Sequence, residues 1–187
     1  SVFCLSAAFC LEFSFEVWKK LGAMGLLGLP FPEQYGGSGA DVVTCCLAAE
    51  ALGHAGVDSG HMLALGAHTY LCTDTLYKHG NEAQREKFVS KLASGEWIGC
   101  MGLTEPGAGS DAGSIQTTAV KKGDRWVLNG SKTFITNAPV CNLCVVFATV
   151  DRALKNKGIT AFIVEKDFPG FSTGAPLYVM WPHTVST

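Results

Sequence analysis

The sequence predicts an α+β fold, an N-terminal α-helical domain followed by an antiparallel, β-barrel-like domain. Two observations carry this. Helix-capping residues and apolar helical faces dominate up to Gly95, and short β-favouring runs separated by turn dipeptides dominate after it. The composition agrees: 48% of residues are hydrophobic and 16% charged, which excludes disorder as the main state.

In chain order, Trp18, Leu21 and Met24 give a short apolar face near the start. Leu29-Pro30-Phe31-Pro32 and Gly36-Gly37-Ser38-Gly39 then force a loop. Asp41 is the expected N-cap of a helix to about Leu52, lined by Val43 and Leu47. Asp58 or Ser59 caps the next, which runs to about Lys78. Asn81 starts another, with Gln84 placed for a capping box and Phe88 and Leu92 on one face. Gly95 ends it. Strands are expected over 97–103, 115–121, 125–128, 132–136, 143–150 and 159–165. Gly123-Asp124 and Asn129-Gly130 fall between strands, and Asn-Gly favours a tight hairpin because both residues tolerate positive φ.

The formal net charge is -2 and no basic run occurs, so nucleic-acid binding has no support. Eight cysteines lie mostly in apolar stretches and read as buried free thiols. Cys141-Asn142-Leu143-Cys144 is a lone CxxC without the second pair that a tetrahedral zinc site needs. His54, His61, His68, His79 and His183 have no metal-ligand spacing, so no metal site is expected. The apolar first fifteen residues are too short to span a bilayer of ~30 Å.

Two stretches carry candidate chemistry. In Leu103-Thr104-Glu105-Pro106-Gly107-Ala108-Gly109-Ser110-Asp111, Pro106 stiffens a turn. Gly107 and Gly109 allow close backbone approach, and Thr104 and Ser110 add hydroxyl donors. Such a loop can hold an anion or a polar ring edge, and no Walker lysine is present. By composition alone it is more often an ordinary loop. In Lys132-Thr133-Phe134-Ile135-Thr136-Asn137-Ala138, a strand would put Phe134 and Thr136 on one face, an aromatic beside a hydroxyl. That suits a flat heteroaromatic ligand, although a core Phe beside a β-favouring Thr is the plainer reading. Glu105 and Asp111 read as loop carboxylates that accept backbone bonds.

Together these stretches resemble the acyl-CoA dehydrogenase family. Thr-Glu-Pro-Gly-x-Gly-Ser-Asp stands intact at 104–111, with the downstream Lys-x-(aromatic)-Ile-Thr-Asn element at 132–137. Leu26-Leu27-Gly28-Leu29-Pro30, Pro32-Glu33-Gln34-Tyr35-Gly36-Gly37, Trp126-Val127-Leu128-Asn129-Gly130-Ser131-Lys132 and the run 157–164 also look like this family. Residues 147–158 are most similar to short-chain, butyryl-type members.

The resemblance implies FAD as cofactor and trans-2-enoyl-CoA formed from an acyl-CoA. It places Met101, Gly102, Leu103, Thr104, Glu105, Pro106, Gly107, Ala108, Gly109 and Ser110 along the FAD, with Ser110 also touching substrate. Phe134, Ile135 and Thr136 would lie along the flavin ring. An electron-transfer flavoprotein and a homotetramer are the implied partners. The implied compartment is intracellular and soluble, the cytoplasm of a bacterium or the mitochondrial matrix of a eukaryote. The expected organisation is 1–97 helical, with 1–14 atypical, then 98–174 as the flavin-facing β-domain, then an atypical tail at 175–187 whose Pro176 and Pro182 interrupt any ladder. The family's C-terminal helical bundle, which carries the catalytic glutamate, has no counterpart in these residues, so no catalytic base is assigned. A fragment, a frameshift or an aberrant transcript is expected. A non-catalytic interaction module of the same fold and an oxygen-using acyl-CoA oxidase are the alternatives.

Overall fold

Local capping chemistry sets the helices. The computed structural model describes residues 13–174 and the backbone of 176–177 and 185–186. Helix α1, Phe15–Ala23, is capped by Ser14 Oγ, and Trp18 and Leu21 turn inward. Met24, expected on the same face, is instead 69% exposed, because it falls on the C-cap beyond the last turn. Asp41 caps α2, Val42–His54, through the Thr44 amide at 2.8 Å. Asp58 caps α3, Ser59–Gly66, through the His61 amide at 3.0 Å. The helix then widens into a π-turn, Ala67–Thr73, before α4, Asp74–His79. Asn81 and Gln84 close a capping box on α5, Glu82–Ala93, and Gly95 follows with φ 77°. No described helix is long and apolar enough to cross a membrane.

One expectation for α2 fails. Val43 and Leu47 are exposed, and Cys45 is the buried residue named for this helix. An apolar residue on a helix goes inward only where a neighbour covers that face, which composition cannot report. Leu47→Ser is therefore expected to leave the melting curve of this chain within about 0.5 kcal/mol of the parent, as for an ordinary surface change. A drop of several degrees in thermal denaturation would show that Leu47 is covered.

The strands are β1 Gly99–Gly102, β2 Thr118–Lys122, β3 Arg125–Asn129, β4 Leu143–Thr149 and β5 Ile159–Glu165. The antiparallel pair β2–β3 forms around Gly123-Asp124 as expected, and β4–β5 is a second antiparallel pair; the hairpin expected at Asn129-Gly130 does not form, because the next described strand after β3 is β4. β4, however, runs parallel to β1, with Cys100 opposite Cys144, and meets β2 in parallel at Thr118↔Thr149. The sheet is thus mixed. Turn residues mark hairpins between neighbours in sequence, but a pairing across forty residues has no local signature. No described strand covers 132–136: Phe134 has φ 57° and Asn137 φ 71°, so the segment is a loop. In the tail, Pro176–Leu177 does pair antiparallel with Val185–Ser186, against the expectation that its prolines prevent a ladder. Pro176 stands at the first position of its strand, where a missing amide costs least. His183, and Cys4 and Cys10 near the start, lie outside the described residues.

The helices dock on the sheet through a shared core. Phe31, Tyr35, Cys72, Leu76, Phe88, Val89 and Leu92 pack with Leu143 and Val145 of β4. A second cluster joins Trp18, Leu21, Leu27, Ala64 and Leu65 to Ile98. Between them His68 is fully buried. Its Nδ1 accepts from the Gly99 amide at 2.9 Å, and its Nε2 donates to the Leu92 carbonyl at 3.0 Å. Those two partners fix the neutral Nε2–H tautomer and tie the end of α5 to the first residue of β1. Burial pushes its pKa down to about 4, against a smaller upward pull from the Leu92 carbonyl.

Candidate functional site

The site is built where β1 ends. Gly102 is buried, Met101, Leu103 and Thr104 are half-buried, and the chain then turns through Pro106 and Gly107. Reciprocal amide bonds between Glu105 and Ala108, each 3.0 Å, close the turn. Ala108 is buried beneath it, whereas Gly107, Gly109 and Ser110 face outward. Asp111 caps the following short helical turn, Ala112–Ser114, by accepting from the Gly113 amide at 3.2 Å.

The glycines of this turn are informative by contrast with others nearby. A Cβ on Gly113 would lie 1.8 Å from Asn156 Oδ1, and one on Gly130 would lie 2.3 Å from Thr117 Oγ1. Gly130 is required by the chain's own packing, since the Thr117 Cα also stands 2.7 Å from that Cβ, whereas at Gly113 the Asn156 side chain would have to move aside. Gly107 and Gly109 are not so required: a Cβ on either would meet nothing within 4 Å, and neither sits at positive φ. Glycine at such a position leaves the backbone open to close approach from outside.

The segment 132–138 lies against this turn. The Thr133 amide donates to the Thr104 carbonyl at 2.9 Å. The Lys132 ammonium donates to Glu105 Oε1 at 2.8 Å and to the Leu103 carbonyl at 3.0 Å. Phe134 is 62% exposed and Thr136 half-buried, with Ile135 buried between them. Asn137 Nδ2 donates to the carbonyls of Ala64 at 2.9 Å and Gly99 at 3.2 Å. Asn137 tolerates its left-handed backbone, but the bulky Phe134 is strained there, and such strain persists where surrounding contacts over-determine the backbone. The structure therefore brings both predicted stretches together, as a loop against a loop rather than a loop against a strand.

Glu105 is turned inward. It accepts from the amides of Gln116 at 2.6 Å and Thr117 at 2.9 Å, from the Thr117 hydroxyl and from Lys132. Burial opposes its ionisation, but the bonds from Lys132, Thr117 and the two amides outweigh it and hold the pKa at about 2. Sequence reasoning placed Glu105 correctly as a loop carboxylate and gave Lys132, Thr117 and Asn137 no role. The available signal was the single charge in an otherwise uncharged motif, since a lysine buried there needs an anion.

Beside the turn a cleft of about 250 Å³ opens between residues 111–116 and 149–156. Arg152 and Lys155 bring positive charge to it, and Asp111 lines the same cleft. The Thr149 hydroxyl, also on its lining, is buried without a hydrogen-bond partner among the described residues. The thiols of Cys100, Cys141 and Cys144 pack beneath Ile135 and Ala138 as a core cluster. Among the described residues no group of three or more His, Cys, Asp or Glu side chains is arranged to hold a metal ion.

Known proteins share this arrangement. Residues 10–96 match the acyl-CoA dehydrogenase N-terminal domain and residues 100–180 the acyl-CoA dehydrogenase middle domain. The chain belongs to the acyl-CoA dehydrogenase family and carries these two domains of it. It is 49% identical over 163 residues to the short-chain-specific acyl-CoA dehydrogenase of Clostridium acetobutylicum, covering 87% of this chain and 42% of that protein. It is 48% identical to the mitochondrial isovaleryl-CoA dehydrogenase of Pongo abelii, covering 87% of this chain and 38% of that one. Among solved structures, butyryl-CoA dehydrogenase from Megasphaera elsdenii superposes with a TM-score of 0.89 at 41% identity, over 94% of this chain and 47% of its own. PigA, solved with FAD and proline, superposes with a TM-score of 0.87 at 35% identity, over 90% of this chain and 44% of its own. The chain thus spans less than half the length of these relatives.

Proposed function

We propose that these residues form the flavin-facing wall of an FAD-dependent enzyme that converts acyl-CoA thioesters to trans-2-enoyl-CoA. The observation that carries the reading is the open glycine turn, 107–109, pinned against a loop that presents an exposed Phe134 beside Thr136. The donor set fits a flavin: hydroxyls at Thr104, Ser110 and Thr136, exposed backbone at Gly107 and Gly109, and an aromatic face. A bound FAD would supply the acceptor for the hydride leaving the β-carbon, and these residues would hold and orient its ring.

The chain's own residues orient and shield. Met101, Leu103 and Ile135 give the wall its apolar backing, Thr104 and Thr136 offer hydrogen bonds to the polar ring edge, and Phe134 covers the ring. Ser110, exposed at the end of the turn, is assigned to the diphosphate and to the thioester substrate. The cationic rim of the neighbouring cleft suits a ligand that carries phosphates. Glu105 is excluded as the base by its four donors, and the base is assigned to a glutamate outside residues 1–187. An electron-transfer flavoprotein as acceptor, a homotetramer as the assembly, and a bacterial cytoplasm or mitochondrial matrix as the compartment belong to the same reading.

The test is Thr136→Val in the complete polypeptide. Loss of one hydrogen bond to a polarised atom costs about 1–3 kcal/mol, so turnover on a short acyl-CoA is expected to fall about ten- to a hundred-fold with modest loss of flavin. Unchanged kinetics with an unchanged visible flavin spectrum would remove Thr136 from the site.

A further inference from the structure

We propose that Lys132 is a positioning residue that locks the turn 103–111 and the loop 132–138 into a single surface. The role of that surface as a flavin wall rests on the function proposed above; the locking does not.

The lysine is built in rather than incidental. Its side chain is 11% exposed and that of its partner Glu105 is 6% exposed. Its aliphatic stem crosses Gly102, where a Cβ would come within 3.3 Å of Lys132 Cγ. Gly102 therefore makes room for the stem that delivers the ammonium. That ammonium reaches two acceptors on the turn, the Glu105 carboxylate and the Leu103 carbonyl. One residue later the Thr133 amide adds a rung to Thr104. Glu105 passes the restraint on to Gln116 and Thr117, at the entry to β2. The loop's far end is held separately, by Asn137 on Ala64 and Gly99. Phe134, left-handed and exposed, sits between the two anchors.

Stability alone does not account for the pair. A buried ion pair is generally replaceable by apolar residues of similar size at little or no loss, whereas breaking one partner is costly. What an apolar replacement would lose is the directional link from loop to turn. The position of Phe134 and Thr136 relative to Thr104 depends on that link.

The discriminating variant is therefore Lys132→Met with Glu105→Gln, which removes both charges together. The amide that replaces the carboxylate accepts only at its oxygen, so one of the Gln116 and Thr117 amides loses its acceptor and this chain is expected to melt several degrees below the parent while remaining folded. Amide exchange over 103–111 and 132–138 is expected to rise together, by about ten-fold or more, while β4 and β5 keep their protection. Lys132→Arg is the second arm, because it keeps the charge if the double variant fails to fold. Its planar head cannot place one point charge between carboxylate and carbonyl, and both segments should again exchange faster. Parent-like protection of both segments in a folded variant, or loosening of 132–138 alone, overturns the proposal. FAD titration with visible spectra runs alongside in the complete polypeptide. Weaker binding and an altered spectrum in folded variants support positioning, and identical binding and spectra overturn it. A complete parent polypeptide that binds no FAD, while this chain shows the coupled exchange, removes the flavin reading and leaves the locking intact.

Discussion

Lowering the pH from 6.5 to 4 is expected to cost this chain about 3 kcal/mol of folding stability through His68 alone. In the folded state the imidazole is fully buried between two backbone groups, a donor at Gly99 and an acceptor at Leu92. Protonation would put a second N–H against the Gly99 amide and a buried charge beside the Trp18 ring. The folded pKa is therefore held at about 4, below the ordinary 6.5, and the unfolded chain binds the proton first. The contribution is intact above 6.5 and is lost progressively as the pH falls towards 4. Glu105 acts in a lower window: its folded pKa of about 2 lies below the ordinary 4.5, so its contribution is present above 4.5 and lost below it. Denaturant melts at pH 7 and pH 4.5 separate the two. His68→Gln, which keeps a donor and an acceptor but does not titrate, is expected to flatten the dependence in that interval. An equal dependence in parent and variant would mean that His68 is protonated in the fold or that its two backbone bonds do not form.

The helix starts were legible because caps are local. Asp41, Asp58 and the Asn81–Gln84 box each act within one turn of their own helix. β5 was read to the residue, since seven residues bounded by Gly158 and Lys166 leave little choice. Two features were invisible for a physical reason. The outward Val43 and Leu47 follow the same spacing as inward residues, and only the tertiary neighbourhood tells them apart. The parallel β1–β4 pairing joins segments whose separation is spanned by the turn and a whole hairpin.

The candidate site divides in the same way. Its chemistry was readable: glycines, hydroxyls and an aromatic stand in the sequence. Its geometry was not. β-branched Thr133, Ile135 and Thr136 favour a strand, yet the pins from Lys132 and Asn137 impose left-handed backbone at Phe134 and Asn137. Local propensity, worth about 1 kcal/mol per residue at most, yields to a charge-assisted clamp at one end and two buried amide bonds at the other.

The 187 residues in isolation are expected to form no enoyl-CoA from butyryl-CoA above the no-protein control. Removing a proton beside a thioester needs a base within hydrogen-bond reach and with a pKa near the working pH. Glu105 is the carboxylate embedded in the turn, and it fails on both counts. Its oxygens are engaged by Lys132, Gln116 and Thr117, and a pKa of about 2 leaves it with almost no affinity for the proton. Asp111 faces solvent at the cap of its own helical turn and accepts from Gly113. The wall is also one-sided: Phe134 and the Gly107–Gly109 turn lie open, so a ring resting on them would keep much of its surface in water and bind weakly. The measurement is to fold the chain with FAD, add butyryl-CoA and an artificial electron acceptor, and follow enoyl-CoA by absorbance. A Glu105→Gln variant in parallel separates adventitious from specific turnover. Bleaching of bound flavin by the thioester, with product formed faster than in the control and lost in Glu105→Gln, would show that this inward carboxylate works as a base after all.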